Sequence, residues 1–86
     1  MSRPPSVLVT RTDPSLSKLR KMYKKQREGD KVRHLLAIML MIKKQNAEIV
    51  AELMDMDADT IRRWVEAFNE GGLEALYKKK APEDDP

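Results

Sequence analysis

Arg62 and Arg63 follow Ala58, Asp59 and Thr60 at the start of an amphipathic stretch, 58–70. These residue types at the front of a helix can read DNA. Arginine pairs in bidentate fashion with a guanine edge, a carboxylate accepts from a cytosine amino group, and an alanine methyl meets a thymine methyl. The expected base-readout set is therefore Ala58, Asp59, Thr60 and Arg62. When Ile61 points into a core, Arg62 is turned about 100° from it, toward the solvent or groove side. Arg63 is turned further and is expected to straddle a backbone phosphate. Lys43, Lys44, Gln45 and Asn46 precede a second helix start, where free N–H groups also attract phosphate. Lys18, Lys21, Lys25 and Arg33 complete the expected phosphate set.

Other chemistries find little support. Asp55, Asp57 and Asp59 cluster as a conceivable metal site, but they lack the ligand pattern and closing glutamate of a calcium loop. Capping and solvation account for them more simply. The single His34 excludes a multi-histidine cluster, and nothing near it suggests a nucleophile. With no cysteine there is neither a disulfide nor a thiolate metal site. No catalytic residue, cofactor or metal is expected.

The elements that must position these groups lie in 46–68, NAEIVAELMDMDADTIRRWVEAF. Ile49, Val50, Leu53 and Met54 form one helical stripe; Ile61, Trp64, Val65 and Phe68 form another. Only Asp55, Met56 and Asp57 lie between them. Two amphipathic helices joined by three or four residues make a helix-turn-helix. Ala51 is small where the helices must approach closely, and Met56 supplies an apolar side chain in the turn. A helical hairpin without a ligand gives the same pattern. Trp64 sits on the apolar stripe and is expected to be core rather than a base-stacking residue.

Upstream, Thr12-Asp13-Pro14 reads as a helix start. A first helix is expected over 14–27, with Leu16, Leu19, Met22 and Tyr23 as its apolar stripe and Gly29 at its C-cap. Asp30 is expected to cap a second helix, 31–44. That helix is apolar nearly all round, the mark of a segment buried between others. Asn46 is expected to cap a third helix, 47–54, and Asp57 a fourth, 58–70. Gly71-Gly72 should stop the fourth helix, with 73–77 folding back as one more turn. Residues 1–12 read as an extended arm. Its Val7-Leu8-Val9 triplet would form a short strand or pack onto the helices, and Arg3 and Arg11 would reach a minor groove if the arm met DNA. A frayed terminus is the plainer expectation. Residues 78–86 read as a flexible polar tail.

Length and charge bound the whole. Eighty-six residues make one small domain with a thin margin of core burial. Scarce glycine and abundant helix formers favour an all-α fold. Residues 1–33 carry ten Lys/Arg against three Asp/Glu, and residues 34–77 carry four against eight. The basic surface thus belongs to the first third, which points to a polyanionic partner. No apolar run is long enough to span a membrane, and the first residues lack the apolar core of a signal peptide. A cytoplasmic protein, nucleoid-associated when bound to DNA, is the expectation.

From 30 to 77 the chain resembles the N-terminal helix-turn-helix domain of mariner-related insertion-sequence transposases of bacteria and archaea. The resemblance rests on Arg33 ahead of LLAIMLMI, on NAEIVAELM, on TIRRWVEAF and on GGLEALY. It implies a homeodomain-like bundle of three or four helices that binds transposon ends. In that family a separate acidic-triad domain performs the metal-dependent cutting and joining. The chain departs from the family at Asp55, where Gly is common, and at Asp57 and Asp59, where a Ser cap and basic residues are common. The expected function is recognition of transposon-end or operator-like double-stranded DNA without catalysis, with no small-molecule substrate and with homodimer formation left open. The alternative is a protein-interaction module that keeps the scaffold and has lost DNA binding. The acidic balance of 34–77 favours that alternative.

Overall fold

The computed structural model describes residues 7–78. Four helices follow in order: α1 (Leu16–Lys25), α2 (Gly29–Lys44), α3 (Ala47–Met54) and α4 (Ala58–Tyr77). No strand occurs among the described residues. The fold is all-α, a helix-turn-helix bundle, and no described helix is long and apolar enough to cross a membrane.

The helix with the longest apolar run, 35–42, takes the central place. α2 packs against α1, α3 and α4, whereas α1 touches α2 alone among the helices. Leu35, Ile38 and Met41 of α2 are shut off from solvent, as are Leu19 of α1 and Val50 of α3. From α4 the core receives Ile61, Trp64, Val65 and Phe68. Trp64 is 1% exposed, so it is core and not a stacking platform. His34 is buried beside it, with ring centroids 4.4 Å apart and the rings near perpendicular. Tyr77 closes the other side at 5.9 Å. Burial raises the Tyr77 hydroxyl above its usual 10.0, opposed by Gln26 and the Lys31 ammonium. That ammonium lies 5.1 Å from the Tyr77 ring centre and 2.9 Å from Glu28. His34 is thus a structural residue at the seam of α2 with the parts of α4 on either side of Gly72.

Several helix boundaries differ from the sequence expectation. The first helix starts after Ser15, whose hydroxyl accepts from the Lys18 N–H at 3.4 Å. Thr12, Asp13 and Pro14 lie ahead of the cap, so Pro14 is not in the first turn. Asp13 instead pairs with Lys18 at 3.2 Å. The helix ends at Lys25, and Gln26 turns the chain by accepting from the N–H groups of Arg27 and Glu28. Gly29 is not a C-cap but the first residue of α2. Asp30 lies in the first turn of α2 and not at the cap; its charge suits the positive helix end there.

The third helix corrects the core. Val50 and Ala51 face inward, with Ala47 and Met54 on the same side. Ile49 is 43% exposed and Leu53 59% exposed. The buried positions 47, 50, 51 and 54 share one helical face, and 49 and 53 lie on the opposite one. Ala47, Val50 and Ala51 line the inner face with Met54, and the large Ile49 and Leu53 are left outside. Met22 of α1, placed in that helix's apolar stripe, is likewise 37% exposed.

Glycine ends the fourth helix one residue later than expected. Gly72 has φ 71° and ψ −157°, a backbone region essentially confined to glycine. The chain breaks there, and Leu73–Tyr77 folds back so that Leu76 is fully buried.

Candidate nucleic-acid interface

The turn between α3 and α4 fixes how α4 is presented. Asn46 caps α3, its side-chain oxygen accepting from Glu48 N–H at 2.9 Å and Ile49 N–H at 3.1 Å. At the other end Met56 N–H bonds Ala51 O at 2.8 Å, and Asp55 N–H bonds Glu52 O at 3.2 Å. These paired bonds are the Schellman arrangement, which needs a left-handed residue between helix and turn. Asp55 is that residue, at φ 57° and ψ 50°. Met56 then tucks against the core. Asp57 stands at the N-cap of α4, but its carboxylate makes no capping hydrogen bond. Its charge still suits the helix end.

The expected base-readout residues lie along the first turns of α4 in unequal exposure. Asp59 is exposed, Thr60 is half-buried, and Ala58 packs partly against the core. Arg62 is half-buried and pairs across to Glu48 of α3, Nη2 to Oε2 at 3.6 Å. Arg63 is exposed and pairs with Asp59 one turn back at 3.2 Å. Each arginine of α4 thus has a carboxylate beside it. Glu48 escaped the sequence reading because its partner lies on another helix. The Asp59–Arg63 pair has the ordinary i,i+4 spacing.

The expected phosphate residues fall into three places. Lys43 and Lys44 occupy the last turn of α2, followed by Gln45 in a left-handed conformation (φ 55°) and the cap Asn46. These four stand at the N-terminal end of α3. Arg33 lies toward the other end of α2, in an open groove with Asp30, Asp55, Asp57 and Leu53. Lys18, Lys21 and Lys25 are exposed on α1, which touches neither α3 nor α4. The structure therefore does not gather the α1 lysines with the α4 residues.

The N-terminal segment is docked over the part described. Val7 and Val9 pack against the core, so this stretch is neither a frayed end nor a strand. Asn69 of α4 holds it from both sides: its side-chain oxygen accepts from Thr10 N–H at 2.9 Å, and its amide donates to Leu8 O at 2.8 Å. The Arg11 guanidinium lies against Gly72, within 3.1 Å of where a Cβ would sit. Arg11 is thus engaged at the α4 break. Arg3, its expected companion in a minor groove, lies outside the described residues, as does most of the expected 78–86 tail. Among the described residues no group of acidic or histidine side chains is arranged to hold a metal ion. Asp55, Asp57 and Asp59 form no such site.

Comparison with known proteins agrees with this geometry. No curated protein and no solved structure matches the chain significantly. A protein-family model does, over residues 34–84, and its description is winged helix-turn-helix. The matched range takes in most of α2 and all of α3, the turn and α4, the elements that present Arg62 and Arg63. This supports a DNA-binding domain of helix-turn-helix type. Since the match covers more than half of its length, the chain belongs to the winged helix-turn-helix family.

Proposed function

We propose that this domain recognises a transposon-end or operator-like sequence in double-stranded DNA, with α4 in the major groove and no catalytic step of its own. The observation that carries the reading is the α3–turn–α4 unit. The Asn46 cap of α3 and left-handed Asp55 fix the entry into α4, where Asp59 and Arg63 are exposed and Arg62 lies beside the start of α3. Ala58, Asp59, Thr60 and Arg62 would read bases, and Arg63 would meet a phosphate. The Lys43–Asn46 cluster and Arg33 lie near opposite ends of α3. Eight residues of helix span about 12 Å, close to the width of a major groove. Phosphates on the two rims of one groove would suit these two basic positions. A homodimer would place two such helices on two half-sites.

The test is selection from random duplexes, followed by titration of the enriched sequence. Arg62→Ala should relax preference at one base pair, costing about 1–3 kcal/mol there. Arg63→Ala should weaken all duplexes alike. Asp59→Asn should raise affinity generally, unless Asp59 accepts from a cytosine, in which case it weakens the preferred sequence alone. No enrichment, with α4 resonances unmoved by DNA, would defeat the reading.

A second reading has its own observation. Leu53 stands 59% exposed at the edge of a groove containing Leu36, Leu40, Met54 and Met56 together with Asp30, Asp55 and Asp57. Three carboxylates against the single Arg33 give this groove an acidic balance, which suits a basic protein segment better than it suits DNA. If α4 proves indifferent to DNA, the protein-interaction role takes precedence.

A further inference from the structure

We infer, resting on the DNA-binding reading above, that Glu48 is a positioning residue for sequence specificity: its carboxylate keeps the Arg62 guanidinium for a base edge and away from phosphate.

Arg62 has three kinds of acceptor to choose from near DNA: the Glu48 carboxylate, phosphates and base edges. Phosphate contacts carry no sequence information, and they dominate affinity wherever a cation is free to make them. Arg62 is not free. Its Nη2 lies 3.6 Å from Glu48 Oε2, and its side chain is only 39% exposed. Glu48 itself is held in the first turn of α3, where Asn46 accepts from its backbone N–H. The ion pair therefore ties the guanidinium to a capped helix end.

Alone, an exposed pair of this kind contributes little stability. Its effect here is directional. If Arg62 moved to a phosphate, Glu48 would be left unpaired beside the polyanion and would repel it. A guanine edge makes no such demand. Guanidinium has five N–H donors in a planar fork, so two can meet guanine while another still faces Glu48. The Asp59–Arg63 pair at 3.2 Å lies within α4 and leaves the Arg63 side chain 72% exposed, so it does not withhold Arg63 from phosphate in this way. From residue 46 to residue 63 two arginines face five acidic residues, a formal charge of −3. This stretch offers phosphate no net attraction. Only a sequence that supplies the right base edge compensates it, and Glu48 is the member of the set that links two helices.

The experiment compares the parent with Glu48→Gln, Glu48→Asp, Arg62→Gln and the Glu48→Gln/Arg62→Gln pair. Each is titrated with the selected duplex and a scrambled one over a salt series. In Glu48→Gln the released Arg62 should engage one further phosphate. The salt slope on the scrambled duplex should steepen by roughly 0.9, equivalent to roughly eightfold tighter binding at 0.1 M salt. The ratio of selected to scrambled affinity should fall. Glu48→Asp, which keeps the charge, should stay near the parent, and the paired variant should lose the gain. Without DNA, the Arg62 Nε–H should become more mobile in Glu48→Gln by NMR relaxation. The Glu48 side chain is 77% exposed and that of Arg62 39%, and neither belongs to the buried core. Equal slopes, equal ratios and unchanged Arg62 mobility would overturn the role of Glu48 and leave DNA binding standing. A parent that binds neither duplex would overturn the DNA-binding reading and this role with it.

Discussion

Trp64 and Asp55 show what single residues contribute to this domain. Trp64 is buried between α2 and α4 with its edge against His34. Replacing it with alanine removes a large apolar surface and leaves a cavity, so Trp64→Ala should cost about 3–5 kcal/mol. In a chain this short that lowers the thermal midpoint by at least about 12 °C, which a melt of parent and variant will register. Asp55 sits in left-handed backbone, where an ordinary side chain costs about 1–2 kcal/mol. Its carboxylate also lies at the negative end of α3. Asp55→Gly relieves both and gives back part of the gain through the freer unfolded chain. A net stabilisation of about 0.5–1 kcal/mol is expected from denaturant unfolding. If Asp55→Gly melts below the parent, the left-handed turn is not where the strain lies.

Among the elements, α4 has the most informative break. Gly72 combines a backbone conformation that only glycine adopts readily with the Arg11 guanidinium packed over its α-carbon. Gly72→Ala should therefore destabilise by about 1–3 kcal/mol, read from the denaturation midpoint. The loss should be smaller when Arg11→Ala is already present, because one of the two conflicts has gone. This stop was visible in the sequence as Gly71-Gly72, as was the Asn46 cap. Both are local: a glycine pair or an amide acts on backbone a few residues away. The same local rules misplaced the start of α1, because Thr12, Asp13 and Ser15 all offer capping oxygens and only packing chooses among them. They also placed Ile49 and Leu53 in the core. An eight-residue helix with apolar residues on two sides does not reveal which side is buried. Here the side that carries Ala47, Val50 and Ala51 is the buried one. The Glu48–Arg62 pair and the Asn69 hydrogen bonds were not legible at all, since each joins residues on separate elements.

At the scale of the molecule, charge and shape are unequally distributed. The basic first third forms α1, and α1 lies on α2 away from α3 and α4. The helix-turn-helix itself is acidic. If the α1 lysines hold DNA, they do so beyond the groove that α4 would enter. Neutralising Lys18, Lys21 and Lys25 together should then weaken every duplex alike. It should also flatten the salt dependence, by about one unit of slope for each phosphate that is no longer neutralised. Base preference should not change. A slope equal to the parent's would show that α1 faces away from DNA and that Lys43, Lys44 and Arg33 provide the grip. Lys18 is expected to contribute least, since Asp13 already pairs with it at 3.2 Å.

The clasp at Asn69 has a consequence in time. Its hydrogen bonds to Thr10 and Leu8 span 59 and 61 positions of the chain. By contrast, α2, α3 and α4 are consecutive and pack on one another. Closing a long loop costs entropy that near neighbours do not, so the three helices should assemble first and the N-terminal segment should dock last. Asn69→Ala would then leave the folding rate almost unchanged and speed unfolding, since its hydrogen bonds are absent from the transition state. Stopped-flow folding in denaturant measures both arms, and a slowed folding arm would put the clasp in the nucleus. Late docking also implies that the Thr10 amide exchanges with solvent by a local opening, well before the amides of α2.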